Sequence, residues 1–149
     1  MKILKLLKGK SIDLCFEKYS PEIPEKKFVP ALDYKIVLHD TDIVIGHCSA
    51  RLGMNEEIFY VGNVGYGIDE NHRGNGYAVE AVKLLLKVFK VNEVEKIYIT
   101  NLPDNLSSKR VCEKVGAKFL GTFEIPEGSI RRKEYNETFM NVFEMTIEK

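Results

Sequence analysis

Between residues 68 and 78 the hydrophobic pattern of this chain changes period, and that switch limits the folds open to it. Before the switch, apolar residues alternate or gather in short β-branched runs. Ile12, Leu14 and Phe16 alternate with Asp13, Cys15 and Glu17, the period of a half-buried strand. Residues 34–38 and 43–52 are apolar runs on either side of HDTD, which reads as a hairpin turn. The run IFYVGNVGYGI (58–68) is expected to be one strand, with Gly62, Gly65 and Gly67 marking a bulge or a close backbone approach. After the switch, Ala78, Ala81, Val82, Leu85, Val88 and Phe89 recur at three and four. Glu80, Lys83, Lys87 and Lys90 take the other face, so this is an amphipathic helix of about four turns.

A short strand, KIYIT (96–100), comes next. A second helix opens at Pro103, Asp104 and Asn105 and stops at Gly116. Strands at 118–125 and 139–147 close the chain, joined by the turn-rich PEGSIRRKEYNE. Residues 19–30, with Pro21, Pro24 and Pro30, read as an extended loop. Antiparallel-type strands followed by a strand–helix–strand crossover predict a mixed α/β or α+β domain spanning 1–149.

Length and charge narrow the function. A chain of 149 residues fits one domain with a self-sufficient core. Its 22 Lys plus Arg balance 22 Asp plus Glu, which excludes the basic bias of a general nucleic-acid binder. No apolar run approaches the roughly 20 residues of a membrane helix. In MKILKLLKGK, Lys5 and Lys8 break the apolar segment a signal peptide needs, leaving a first strand with charged flanks. Cys15, Cys48 and Cys112 are odd in number and form no C-x-x-C, and the three histidines have no metal spacing. No metal is expected, and a reducing, cytoplasmic setting fits.

The segment GIDENHRGNGYA (67–78) carries the clearest chemistry. A glycine-broken strand runs into a loop with Arg73, Gly74 and Gly76, and a long helix starts there. First-turn amides have no intrahelical acceptor and, with the helix dipole, form an anion site. Gly74 and Gly76 allow a large anion to approach the backbone, and Arg73 can fork onto phosphate. The pattern lacks the Gly-Lys-Ser/Thr of a Walker loop. Val79 stands where a dinucleotide fingerprint needs its third glycine. A phosphate or pyrophosphate cradle of another kind remains.

Arg73-Gly-Asn-Gly-Tyr-Ala78 matches R/Q-x-x-G-x-G/A, and on it the chain resembles the GNAT acetyltransferases. Downstream, TNLPDNLSSKRVCEKVGAKFLG is similar to the second signature of that superfamily, and the resemblance runs over about residues 34 to 149. It points to the branch that includes ribosomal-protein N-terminal acetyltransferases. The one or two helices usual after the first strand are replaced here by the proline-rich 19–30. The resemblance implies a GNAT-like domain with a central mixed, mostly antiparallel sheet and flanking helices. It implies acetyl transfer from acetyl-CoA to an amine, small or a protein N-terminus, by direct attack in a ternary complex.

The same resemblance implies the site. Amides of Gly74, Asn75, Gly76, Tyr77 and Ala78, with Arg73, would hold the CoA pyrophosphate, and main-chain Ile68 would pair with the pantetheine arm. Asn105 would contact that arm, although capping a helix accounts for it equally. Ser108, Val111, Cys112 and Val115 are spaced to share one helix face. Many relatives carry at the Cys112 position a Tyr proposed to protonate the leaving thiolate. Ser108, Cys112 and Tyr66 are therefore the catalytic candidates here. Glu56, Glu57, Asp69 and Glu70 flank the strand where a general base usually stands. Arg131, Arg132 and Lys133 form a basic cluster that either flanks the acceptor or is a solvated loop. The implied partners are acetyl-CoA and an amine, with a homodimer left open and neither nucleic acid nor membrane expected. A non-catalytic acyl-CoA-binding or regulatory module of the same fold is the competing reading.

Overall fold

The alternating first half of the chain pairs in sequence order. In the computed structural model, which describes residues 1–148, the antiparallel strands β1 (Leu6–Lys8), β2 (Ile12–Ser20), β3 (Ala31–Leu38) and β4 (Val44–Arg51) lie side by side. A four-residue helix, α1 (Ile58–Val61), precedes β5 (Val64–Ile68), which completes the five-stranded sheet. Helix α2 (Tyr77–Val91) leads to β6 (Lys96–Asn101), and α3 (Leu106–Val115) to β7 (Lys118–Glu124). Helix α4 (Ile130–Tyr135) then leads to β8 (Phe139–Thr146), which inserts between β6 and β7. All strand pairings among the described residues are antiparallel. The expected central sheet is in two parts, parted between β5 and β6.

Helix α2 lies on the five-stranded sheet and against α3. It buries Ala81, Val82, Leu85, Val88 and Phe89 of the stripe its spacing predicts, together with Leu84, while Ala78 stays half-buried. Glu80 departs from the expected solvent face. Its carboxylate accepts the amides of Ser11 and Ile12, each at 2.9 Å, and ties the first turn of α2 to the β1–β2 turn.

Two segments differ from the sequence expectation. Residues 58–68 are not one strand. Asn55 Oδ1 accepts the Ile58 amide at 3.0 Å, and α1 forms until Gly62, at φ +86°, ends it. On this turn Phe59 meets Tyr98 and Phe123 edge-on at 5.1 and 5.0 Å, a contact alternation would not have made. Nor is there a bulge in β5, whose register with β4 is unbroken from Val64 to Ile68. Close approach accounts for two of the three glycines: a Cβ on Gly62 would stand 3.1 Å from Thr100 Oγ1 and one on Gly65 3.1 Å from Arg51 Nη2, whereas one on Gly67 would meet nothing within 4 Å. The turn-rich 126–137 holds α4, capped by Ser129, whose hydroxyl also donates to the buried Glu57 at 2.9 Å.

Buried Asn63 joins the two sheets. Its Oδ1 accepts the Tyr98 amide at 2.8 Å, and its Nδ2 donates to the carbonyls of Arg51 and Gly53 at 2.9 and 3.0 Å. Its own amide donates to Tyr98 at 2.7 Å, and its carbonyl accepts from Arg51 at 2.7 Å. Beyond this junction β5 stays with β4, and β6 leaves with β8.

A second polar centre closes the hairpin end of the sheet. Asp13, 2% exposed, accepts from the amides of Gly9 and Asp40 and from His39 Nδ1, at 3.1, 2.9 and 2.8 Å. Lys8 Nζ lies 3.4 Å from Asp13 and also pairs with Asp40. Asp13, His39 and Asp40 place ligand-type atoms within 4.8 Å of one another, a grouping their sequence separation hides, and Lys8 supplies a cation there. Burial alone would raise the Asp13 pKa. The hydrogen bonds from Asp40, His39 and Gly9 outweigh it and bring the carboxyl down to about 2.

Two measurements check these centres. Asn63→Ala leaves the Tyr98 amide and two carbonyls unpaired. It should destabilise the protein by roughly 3 kcal/mol, or about 6–12 °C in Tm, by denaturant and thermal unfolding. For Asp13 the folded pKa lies below the unfolded one, so its contribution is whole above pH 4 and is lost as pH falls toward 2. Wild-type Tm should therefore drop more steeply across that window than that of Asp13→Asn, by on the order of 2 kcal/mol.

Candidate active site

The parting of β5 from β6 opens a groove of about 750 Å³. One wall is the free edge of β5. Arg51 and Asp69 fix the ladder with β4 through their amides, which bond the Asn63 and Ile45 carbonyls. Antiparallel alternation then turns the backbone groups of Val64, Tyr66 and Ile68 away from β4, toward the groove. Ile68 is thereby set as a strand partner without a strand. Its carbonyl accepts Arg73 Nε at 2.9 Å, so Arg73 is braced at the end of β5.

The groove runs from there into the start of α2. Gly74 and Gly76 have φ of +84° and +77°, the left-handed region where glycine is at ease. A Cβ at either position would meet no protein atom, so both present bare backbone to open space. The first intrahelical bond runs from the Glu80 amide to the Gly76 carbonyl. The amides of Gly74 through Val79 bond nothing among the described residues. Six free donors at the positive end of a helix dipole are chemistry suited to an anion. His72, beside them, has a buried Nδ1 with no partner.

Midway along, the groove is crossed by one hydrogen bond between its walls: Tyr66 Oη and Ser108 Oγ are 3.0 Å apart. Burial raises the Tyr66 pKa, outweighing the bond from Ser108, so the phenol stays protonated at neutral pH. Ser108 is held by Asn105, which caps α3: its Oδ1 accepts the Ser108 amide and the Ser107 hydroxyl at 3.1 Å each. Cys112 stands apart. It is fully buried, its Sγ receives Asn101 Nδ2 at 3.5 Å, and it does not line the groove. The helix face is as the spacing predicts, but its Cys112 side goes to the core and its Ser108 side to the groove.

The groove is cationic throughout. Arg51, Arg73, Arg110, Lys114 and Arg131 line it, and no Asp or Glu among the described residues does. None of Glu56, Glu57, Asp69 and Glu70 is in it. Glu57 is buried against Ser129 instead. The basic cluster of the last loop is divided by α4. Arg131 lines the groove while bonded to Glu137 at 2.9 Å, Arg132 donates to the Ile125 carbonyl at 2.7 Å, and Lys133 is exposed.

Residues 14–118 match the Acetyltransferase (GNAT) domain. The chain belongs to the GNAT acetyltransferase family. It is similar to an uncharacterized N-acetyltransferase, YnaD, of Bacillus subtilis (strain 168), at 31% identity over 105 residues. That match takes in 68% of this chain and 60% of the relative, so the chain spans less than two thirds of the relative's length. Among solved structures, it shares its fold with the ribosomal-protein-S5-alanine acetyltransferase from Vibrio fischeri. There the TM-score is 0.61 at 20% identity, over 80% of this chain and 63% of that one. It also shares it with the microcin C7 self-immunity acetyltransferase MccE, solved in complex with acetyl-CoA and AMP. That TM-score is 0.56 at 21% identity, over 83% of this chain and 63% of that one.

Within this GNAT domain the sequence reading missed Arg51 and Asn63. Arg51 ends the apolar run of β4, and a lone charge in such a run was a usable signal. Asn63 had none, since its partners come from two separate stretches of the chain, 51–53 and Tyr98.

Burial pushes the thiols of Cys48 and Cys112 up to about 12, whereas Cys15 is half-exposed. A pKa of about 12 leaves roughly one thiol in ten thousand ionised at pH 8. Iodoacetamide at pH 8 should label Cys15 in native protein and all three cysteines after denaturation, as read by intact mass. Rapid native labelling of Cys112 would return it to the groove.

Proposed function

We propose that this domain transfers acetyl from acetyl-CoA to an amine. The observation that carries the proposal is the set of six unpaired amides, Gly74 to Val79, opening a groove lined by five cations and no acid. A di-anionic pyrophosphate suits that end, and Arg73, braced on Ile68, adds a fixed charge beside it. An uncharged pantetheine arm suits the free β5 edge, where the Tyr66 and Ile68 backbone groups offer strand-like hydrogen bonds. Acetyl-CoA has both parts, whereas ATP and NAD lack the arm.

The reaction follows from what borders the middle of the groove. The amine nitrogen attacks the thioester carbonyl, an N–C bond forms, the C–S bond breaks, and the thiolate takes a proton. Tyr66 is protonated and bonded to Ser108, so the pair can deliver that proton from either oxygen, and Cys112 has no part in it. The outgoing amine proton goes to water, because no carboxylate lines the groove. The cationic lining itself disfavours the ammonium form of an acceptor and so favours the neutral nucleophile.

A thermal-shift titration tests the assignment. Acetyl-CoA at 100-fold its Kd should stabilise the protein by about 2.7 kcal/mol, or roughly 5–10 °C, with ATP and NAD far behind. Gly76→Ala costs only about 1–2 kcal/mol of backbone strain and should still fold. Its added Cβ stands where the phosphate would approach, and most of the acetyl-CoA shift should vanish. Release of CoA thiol in the presence of amines then separates an enzyme from a binding module. Equal shifts with ATP and acetyl-CoA would overturn the proposal.

A further inference from the structure

At the end of the groove away from the cradle, two guanidinium groups converge. Arg51 comes from the end of β4, and its backbone is locked on both sides by Asn63. Its Nη1 donates to the Gly62 carbonyl at 2.9 Å, and its Nη2 lies against Gly65, 3.1 Å from where a Cβ would stand. Arg131 comes from α4, which is docked to α1 through Ser129 and Glu57. Both line the groove at the Val64–Gly65 end of β5, next to Tyr66.

One of these charges is poorly compensated. Arg131 has Glu137, but Arg51 makes no ion pair within 4.0 Å among the described residues. Asp33 from β3 attracts it from a distance while engaged by the Ser49 hydroxyl at 2.7 Å, and Arg131 repels it. Burial first, and then Arg131, lower the Arg51 pKa, which is the mark of a cation lacking an anion. A half-buried guanidinium that faces the groove with no anion beside it leaves room for a ligand to supply one.

Acetyl-CoA cannot be that ligand. Its phosphates belong at the cradle, and β5 alone puts about 13 Å between Ile68 and Val64 at 3.3 Å per residue. The pantetheine and acetyl parts that would reach Tyr66 carry no charge. We infer that Arg51 and Arg131 bind a carboxylate of the acceptor, so that the substrate class is an amine bearing a carboxylate near the nucleophilic nitrogen. This rests on the acetyltransferase reading above. The forked geometry of guanidinium suits a carboxylate.

The test uses matched acceptor pairs that differ only in that group. β-Alanine is set against β-alaninamide, and the dipeptide glutamyl-alaninamide against glutaminyl-alaninamide; the first pair represents a small amino acid, the second an acidic peptide. CoA-thiol release should show kcat/KM at least about tenfold higher for the acid of one pair, and the pair that responds identifies the source. In Arg131→Gln and Arg51→Gln the preference should shrink to within about threefold, and added salt should weaken it in wild type. Should Arg51→Gln not fold, Arg131→Gln and the wild-type pairs decide alone. Where turnover is slow, the thermal shift of CoA-loaded protein with each probe gives the same comparison. Equal rates and equal shifts for acid and amide, or no response to any carboxylate probe, in a protein that binds acetyl-CoA would overturn this inference alone. Failure of the wild type to bind acetyl-CoA would overturn it together with the function on which it rests.

Discussion

Asn63 sits where the two sheets meet. Its side chain accepts from β6 at Tyr98 and donates to the carbonyls of Arg51 and Gly53. Without it, those groups would be buried and unpaired at the one point where the ladder changes partners. Because the junction is satisfied there, β5 can continue with β4 while β6 departs with β8. The groove is the space between them, and its mouth, its free strand edge and the start of α2 all take their positions from that parting. Glu80 does the corresponding work at the far side, holding the first turn of α2 to the β1–β2 turn.

The charge pattern of the groove has no counterpart in the composition. Acids and bases balance over the whole chain, yet the groove collects arginine and lysine and excludes carboxylates. Acids are used elsewhere: Asp13 ties the hairpin end, Glu57 docks α4, and Glu137 steadies Arg131. The result is a field that favours anions along its whole length and disfavours ammonium. The proposed pairing of a polyanionic acyl donor with a neutral amine rests on that field.

The proposed proton donor comes from a different wall of the groove than the family resemblance implies. Cys112, which stands on α3 where the resemblance implies a tyrosine, is turned into the core by the fold. A phenol faces the groove from the opposite wall instead: Tyr66 reaches Ser108 across it at 3.0 Å. Function of this kind depends on where an oxygen ends up, and two walls offer two routes to the same place.

The sequence by itself determined the element types where a period was sustained, the stripe of α2 above all. It also determined the left-handed glycine loop with its free amides at the start of α2, because a glycine loop opening a helix is local chemistry that needs no distant partner. The Asn105 cap and the Gly116 stop were legible for the same reason. The tertiary structure decided what depends on a partner far along the chain. Residues 58–61 form a helix because Phe59 finds Tyr98 and Phe123, and Glu80 leaves the solvent face because the Ser11 and Ile12 amides come to it. Cys112 and Ser108 lie four residues apart on one helix, and only packing separates core from groove between them. Arg51 and Arg131 stand 80 positions apart in the sequence and share a site only because α4 docks on α1. Local spacing sets backbone geometry, but long-range packing sets which charges meet.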